Sequence, residues 1–91
     1  MSMNAQTTLK IVNKAGLHAR ASTRFVQTAN KFRCNVIVRK DGQEVNGKSI
    51  MGVLLLVASQ GSDINISCDG EDAQQCISAL SDLVQAGFGE T

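Results

Sequence analysis

The chain has no proline, no CxxC pair and a single histidine, and its nine Lys and Arg are set against eight Asp and Glu for a net charge of +1. Each shortage excludes something. Without proline, the turns fall to Gly, Asn and Asp. A net charge near zero gives no basic field of the kind that grips nucleic acid, so any electrostatics that matter are local. The longest apolar run, Val53 to Ala58, is far too short to span a bilayer, and Met1 to Thr8 is polar with no signal-peptide core. A cytoplasmic protein without membrane insertion is expected. Cys34, Cys68 and Cys76 form an odd set with no second histidine to complete a metal site, and read as reduced cysteines used for packing. There is no repeat, linker or low-complexity segment, so 1–91 is expected to be one domain with one modest core.

Hydrophobic periodicity supplies the elements. Thr7 to Asn13 alternates, with Leu9 and Ile11 on one face and Thr8, Lys10 and Val12 on the other, which predicts a half-buried strand. After the turn Asn13 to Gly16, the positions Ala21, Phe25, Val26, Ala29 and Phe32 form one stripe of a helix beginning at Ala19, with His18 at or beside its N-cap. Cys34 to Lys40 and Gln43 to Asn46 read as a hairpin about Asp41 and Gly42. Ser49 precedes a short helix, Ile50 to Ser59, and Asp63 to Asp69 is a strand with Ile64, Ile66 and Cys68 inward. Glu71 and Asp72 form the acidic first turn of a last helix with the stripe Ala73, Cys76, Ile77, Leu80, Leu83 and Val84, closed by Gly87 and Gly89. The order βαββαβα with one-sided strands predicts an α+β open-faced sandwich, a four-stranded antiparallel sheet with three helices on one face.

His18 carries the chemistry this sequence offers. A helix N-terminus has backbone N–H groups without internal partners and a partial positive charge, which favours an anion and disfavours imidazolium, so a nucleophilic ring nitrogen stays free. A phosphoryl group landing there would meet those N–H groups, and Arg20 would add a charge-assisted hydrogen bond. Gly16 permits close backbone approach, and Ala19 and Ala21 keep bulk away. The bland reading is a capping histidine. Metal binding lacks a second ligand, and the scattered carboxylates give no evident acid–base pair.

The run Gly16-Leu17-His18-Ala19-Arg20-Ala21, followed by Asn46-Gly47-Lys48-Ser49-Ile50-Met51-Gly52, resembles the histidine-containing phosphocarrier (HPr) family, over about Thr8 to Phe88. The resemblance implies that His18 accepts a phosphoryl group on Nδ1 from phosphorylated enzyme I and passes it to IIA components of the phosphotransferase system, with Arg20 assisting. It implies a monomeric carrier protein, not an enzyme, with no cofactor, serving sugar uptake or nitrogen and carbon regulation. Many members have proline where this chain has Ala21, so the backbone gains an N–H there and loses a fixed φ. Ser49 reads as an N-cap, and the resemblance adds a regulatory phosphorylation by a serine kinase/phosphorylase. Partner contacts are expected from Ala19, Ala21 and Arg24 on the first helix and Ile50, Met51 and Leu54 on the short one, whose apolar residues are too many to face one sheet. A competing reading is a purely regulatory binding module controlled through Ser49.

Overall fold

The computed structural model describes residues 3–90; Met1, Ser2 and Thr91, the ends of the expected 1–91 domain, lie outside the described residues. The elements run β1 (Asn4–Lys10), α1 (Ala19–Ala29), β2 (Asn35–Lys40), β3 (Gln43–Asn46), α2 (Ile50–Leu55), β4 (Asp63–Asp69), α3 (Ala73–Gln85) and a terminal 3₁₀ turn, Gly87–Gly89. The strands form one antiparallel sheet in the order β1-β4-β2-β3. Among the described residues no helix is long and apolar enough to cross a membrane.

Period-2 alternation decides the sheet's two faces. Ile64, Ile66 and Cys68 of β4 are buried and lie opposite Leu9, Thr7 and Ala5 of β1, while Val38 and Val36 of β2 meet Ile66 and Cys68 from the other side. Onto this face α1 brings Ala21, Ser22, Phe25, Val26 and Ala29, and α3 brings Ala73, Cys76, Ile77, Leu80 and Val84. Phe32 and Leu83 pack against that core half-buried. The β2–β3 hairpin turns on Asp41 and Gly42, both at positive φ, as a two-residue turn matched to strand twist requires.

Several boundaries differ from expectation. β1 begins and ends three residues before the predicted Thr7–Asn13, because its partner β4 runs out at Asp63, opposite Lys10. One further pair of backbone bonds, Ile11 to Ser62 and Gly61 to Ile11, both 2.8 Å, carries the inward alternation to the buried Ile11 without extending the ladder. β2 starts at Asn35, since the Cys34 N–H goes to the Asp72 carboxylate. Asp72 therefore does not serve α3's first turn: its two oxygens accept from the amides of Arg33 at 2.8 Å and Cys34 at 2.9 Å, and α3 begins at Ala73. The Arg33 amide first, then that of Cys34, holds the Asp72 carboxyl below the usual carboxylate range. α2 stops at Leu55, short of the predicted Ser59, because Val57 turns to φ +48.

That reversal aims the Ala58 carbonyl at the start of α1, where it accepts from the Leu17 N–H at 2.8 Å. Gly16 makes the approach possible: at φ +68, a Cβ there would sit 2.4 Å from the Ala58 oxygen. Gly16→Ala is expected to lower stability by about 2 kcal/mol or more, a fall in Tm of about 10 °C, in urea and thermal unfolding. A change within about 0.5 kcal/mol, the range of neutral surface substitutions, would refute the close-packing account.

Candidate functional site

His18 is the N-cap of α1, with extended backbone, and its carbonyl accepts the first helix bond from Ser22 at 2.8 Å. Its Nδ1 accepts from the Arg20 N–H at 3.2 Å. Its Nε2 lies 2.6 Å from Glu90 Oε2. With Nδ1 already an acceptor, the neutral ring carries its proton on Nε2 and donates it to the carboxylate. The lone pair therefore sits on Nδ1, facing the helix N-terminus, and the side chain is 33% exposed, enough for a partner to reach.

Glu90 arrives there because the chain end folds back. Phe88, at φ +59, buries its ring completely, and the turn after it is clamped by Arg24 Nη1 donating to the Phe88 carbonyl at 2.7 Å. Asn13 completes the setting: its amide nitrogen donates to Glu90 Oε1 at 2.9 Å and to the Gly16 carbonyl at 2.8 Å. The Asn13 bond first, then the His18 ring and the charge of Arg20, hold the Glu90 carboxyl below the usual carboxylate range, against the opposing effect of burial. Glu90 and Asn13 are the residues that sequence reasoning missed. The available signal was Gly87-Phe88-Gly89, a bulky apolar residue between two glycines, which must turn inward and so carries the next residue with it.

The expected site residues divide. Arg20 is exposed and lines, with His18, Lys14 and Glu90, an open depression of about 570 Å³. Ala19 is exposed, but Ala21 is wholly buried under α1 and cannot be the surface contact that was expected. Arg24, expected to meet partners, is exposed, and one of its guanidinium N–H groups goes to the terminal turn, which helps position Glu90. Ser49 caps α2, its Oγ accepting from the Gly52 N–H at 3.1 Å. Ile50 and Met51 are exposed, together with Leu55 and Val57, and Leu54 is half-buried. Leu54 and Val57 share a recess of about 210 Å³ with His18, so the first motif meets the end of the helix that follows the second.

Val57 is β-branched, 76% exposed and at φ +48, a conformation such side chains resist. Two outcomes follow for the site. Val57→Gly is expected to raise stability by about 1 kcal/mol, since strain is relieved and little burial is lost; unchanged or lower thermal stability would contradict the strain. Glu90, whose folded pKa lies below its unfolded value near 4.5, contributes stability fully above that value and loses it as pH falls through the lower folded pKa. Glu90→Gln should therefore unfold at lower urea than the parent at neutral pH and converge with it in acid; parallel curves across that range would remove the carboxylate's role.

Comparison with known proteins follows the same geometry. A family model described as "PTS HPr component phosphorylation site" matches residues 5–86. The Phosphocarrier protein HPr of Neisseria meningitidis serogroup A is 49% identical over 90% of this chain and 92% of its own length. That of Xylella fastidiosa (strain Temecula1) is 51% identical over the same shares, 90% and 92%. The crystal structure of HPr-C-His from Thermoanaerobacter tengcongensis superposes with a TM-score of 0.93 at 47% identity, covering 96% of this chain and 98% of that one.

Proposed function

The chain belongs to the HPr family, the phosphocarrier proteins of the phosphotransferase system, and we propose that His18 is the residue on which it carries the phosphoryl group. The observation that carries this reading is the division of labour on one ring: Nε2 is tied to Glu90 and Nδ1 presents its lone pair at the N-terminus of α1. In the transfer, that lone pair attacks phosphorus, the Nδ1–P bond forms, and the bond to phosphorylated enzyme I breaks with its electron pair returning to enzyme I. The Nε2 proton stays on the ring, now imidazolium, where Glu90 balances it. Phosphoryl oxygens meet the helix N-terminal dipole and the Arg20 guanidinium. Handing the group to a IIA component reverses these steps.

The chain works here as a carrier and not as an enzyme, a cytoplasmic monomer of one domain over 1–91 whose catalytic power resides in its partners. Its docking face joins Ala19 and Arg20 to the exposed Ile50, Met51, Leu55 and Val57, with Leu54 at the recess beside His18. Met51 suits a surface that must fit several partners. Phosphorylation of Ser49 would add about two negative charges at the edge of this face while leaving the α2 N-terminus in favourable contact with an anion.

Incubation with enzyme I and radiolabelled phosphoenolpyruvate is expected to give an acid-labile, base-stable label on the parent and none on His18→Ala. Arg20→Ala should label about 10²-fold more slowly, the range for losing one donor to developing charge, and Ser49→Asp should slow labelling as well. Ala21→Pro should change the decay rate of the label, because it deletes an N–H in the first turn. A persistent label on His18→Ala would overturn the assignment, and Ser49→Asp labelling at the parent rate would overturn regulation at Ser49.

A further inference from the structure

Cys34, Cys68 and Cys76 are far apart in sequence, yet their three sulfurs lie within 4.8 Å of one another. Each arrives by a separate device. Cys68 faces inward on β4, between Ala5 of β1 and Val36 of β2. Cys76 lies on the buried stripe of α3. Cys34 is fixed just before β2 by the bond from its N–H to Asp72, and Gly70 lets the chain leaving β4 lie against it, since a Cβ at position 70 would be 2.8 Å from the Cys34 Cα. All three are buried and none forms a disulfide. Packing alone asks only for small apolar side chains at these positions; three soft donors in one triangle form a ligand set.

Charge decides which ligand. Burial favours the neutral S–H form of a thiol. A monovalent copper ion held by three thiolates would be a dianion in the core, and zinc would be a monoanion short of its fourth ligand, both with the Asp72 carboxylate close by. A trivalent metalloid supplied as its neutral hydroxide has no such penalty. Arsenous acid, As(OH)₃, condenses with three thiols to As(SR)₃ and three waters: three As–O bonds break, three As–S bonds form, and each thiol proton leaves on a departing hydroxyl. No charge is created and no oxidant or reductant is needed.

We propose that Cys34, Cys68 and Cys76 form a binding site for a trivalent metalloid of the arsenous acid class. Entry is from a surface cleft of about 500 Å³ lined by Arg33, Cys34, Gly70, Glu71 and Asp72, so Cys34 is the first thiol met. The cleft lies beside the Asn4–Asp69 end of the β1–β4 ladder, whereas the chain leaves toward His18 from the Lys10–Asp63 end. The site is thus separate from the phosphoryl site, and filling it ties β2, β4 and α3 together.

The test exposes the folded protein, reduced with a phosphine, to arsenous acid and reads native mass. The expected product gains one arsenic atom and loses three hydrogens, and amide exchange slows in β4 and α3. Cys34→Ala and, as a volume-matched alternative for the core, Cys76→Val should each bind about 10²-fold more weakly, because one of the linked attachments is lost. The parent's hydrogen count keeps the result interpretable even where a variant fails to fold. No adduct, an adduct that retains a hydroxyl, or retention of zinc or monovalent copper in preference to arsenic would each overturn the proposal.

Discussion

The 2.8 Å bond from the Leu17 N–H to the Ala58 carbonyl is the constraint on which the site depends. It joins the loop before α1 to the segment leaving α2 at the point nearest His18, beyond the Ile11–Ser62 and Gly61–Ile11 bonds that tie the same two segments further from the ring. A backbone bond of this kind stabilises by about 1 kcal/mol on its own, but it also fixes a register. With Leu17 held, His18 can cap α1 and nothing else. With Ala58 held, Val57 is forced into its strained turn and the apolar end of α2 is left facing outward beside the ring. The glycine at 16 is the residue type that allows the two backbones to come so close.

His18 then lies between opposed fields. The N-terminus of α1 favours an anion at Nδ1, and the Glu90 carboxylate favours positive charge on the ring. For a phosphoryl group carried on Nδ1, as proposed, the two effects would partly cancel: the dipole and Arg20 would attract its oxygens, the carboxylate would repel them, and the same carboxylate would balance the imidazolium that Nδ1 phosphorylation creates. A carrier needs this compromise. A site that stabilised the phosphorylated form strongly would accept the group and fail to release it, since any preference for one state is a barrier to leaving that state. Partial exposure of the ring keeps each interaction in a polar surrounding, where it is weaker than it would be in the core.

How much of this was legible follows from which forces act locally. β3 and β4 read correctly to the residue because alternation and turn chemistry coincide at both ends, and the starts of α1 and α2 because His18 and Ser49 are the caps. The end of α2 did not, because Leu56 and Ala58 are buried and prolong the apolar run while the backbone has already reversed. β1 was misjudged since its first residues, Asn4, Ala5 and Gln6, offer only one small apolar side chain to the core and are held chiefly by backbone pairing, which leaves little side-chain signature. Glu90 meets His18 across 72 positions, and the cysteine triangle joins a loop, a strand and a helix; both are products of tertiary folding that no local pattern carries. The second task of Arg24 was hidden for a related reason, as a guanidinium on an exposed helix face looks free until the chain end returns to accept one of its hydrogen bonds.

Backbone strain is distributed in keeping with these roles. Two of the non-glycine residues at positive φ bear on the ring: Val57 lines the recess it shares with His18, and Phe88 stands in the turn that brings Glu90 to Nε2. Each such conformation costs of order 1–3 kcal/mol, and persists only where surrounding structure over-determines it. At Phe88 the compensation is a fully buried phenyl; at Val57 the side chain is exposed and buries little, so the hold must come from its neighbours Leu56 and Ala58, which are buried on either side. A strained exposed valine does nothing for the fold that glycine would not do better. Its apolar surface beside the ring belongs, on the proposed reading, to the docking face. On the proposed reading, the strain at Val57 is stability given over to recognition, whereas the turn at Phe88 brings Glu90 onto Nε2 and so leaves Nδ1 free.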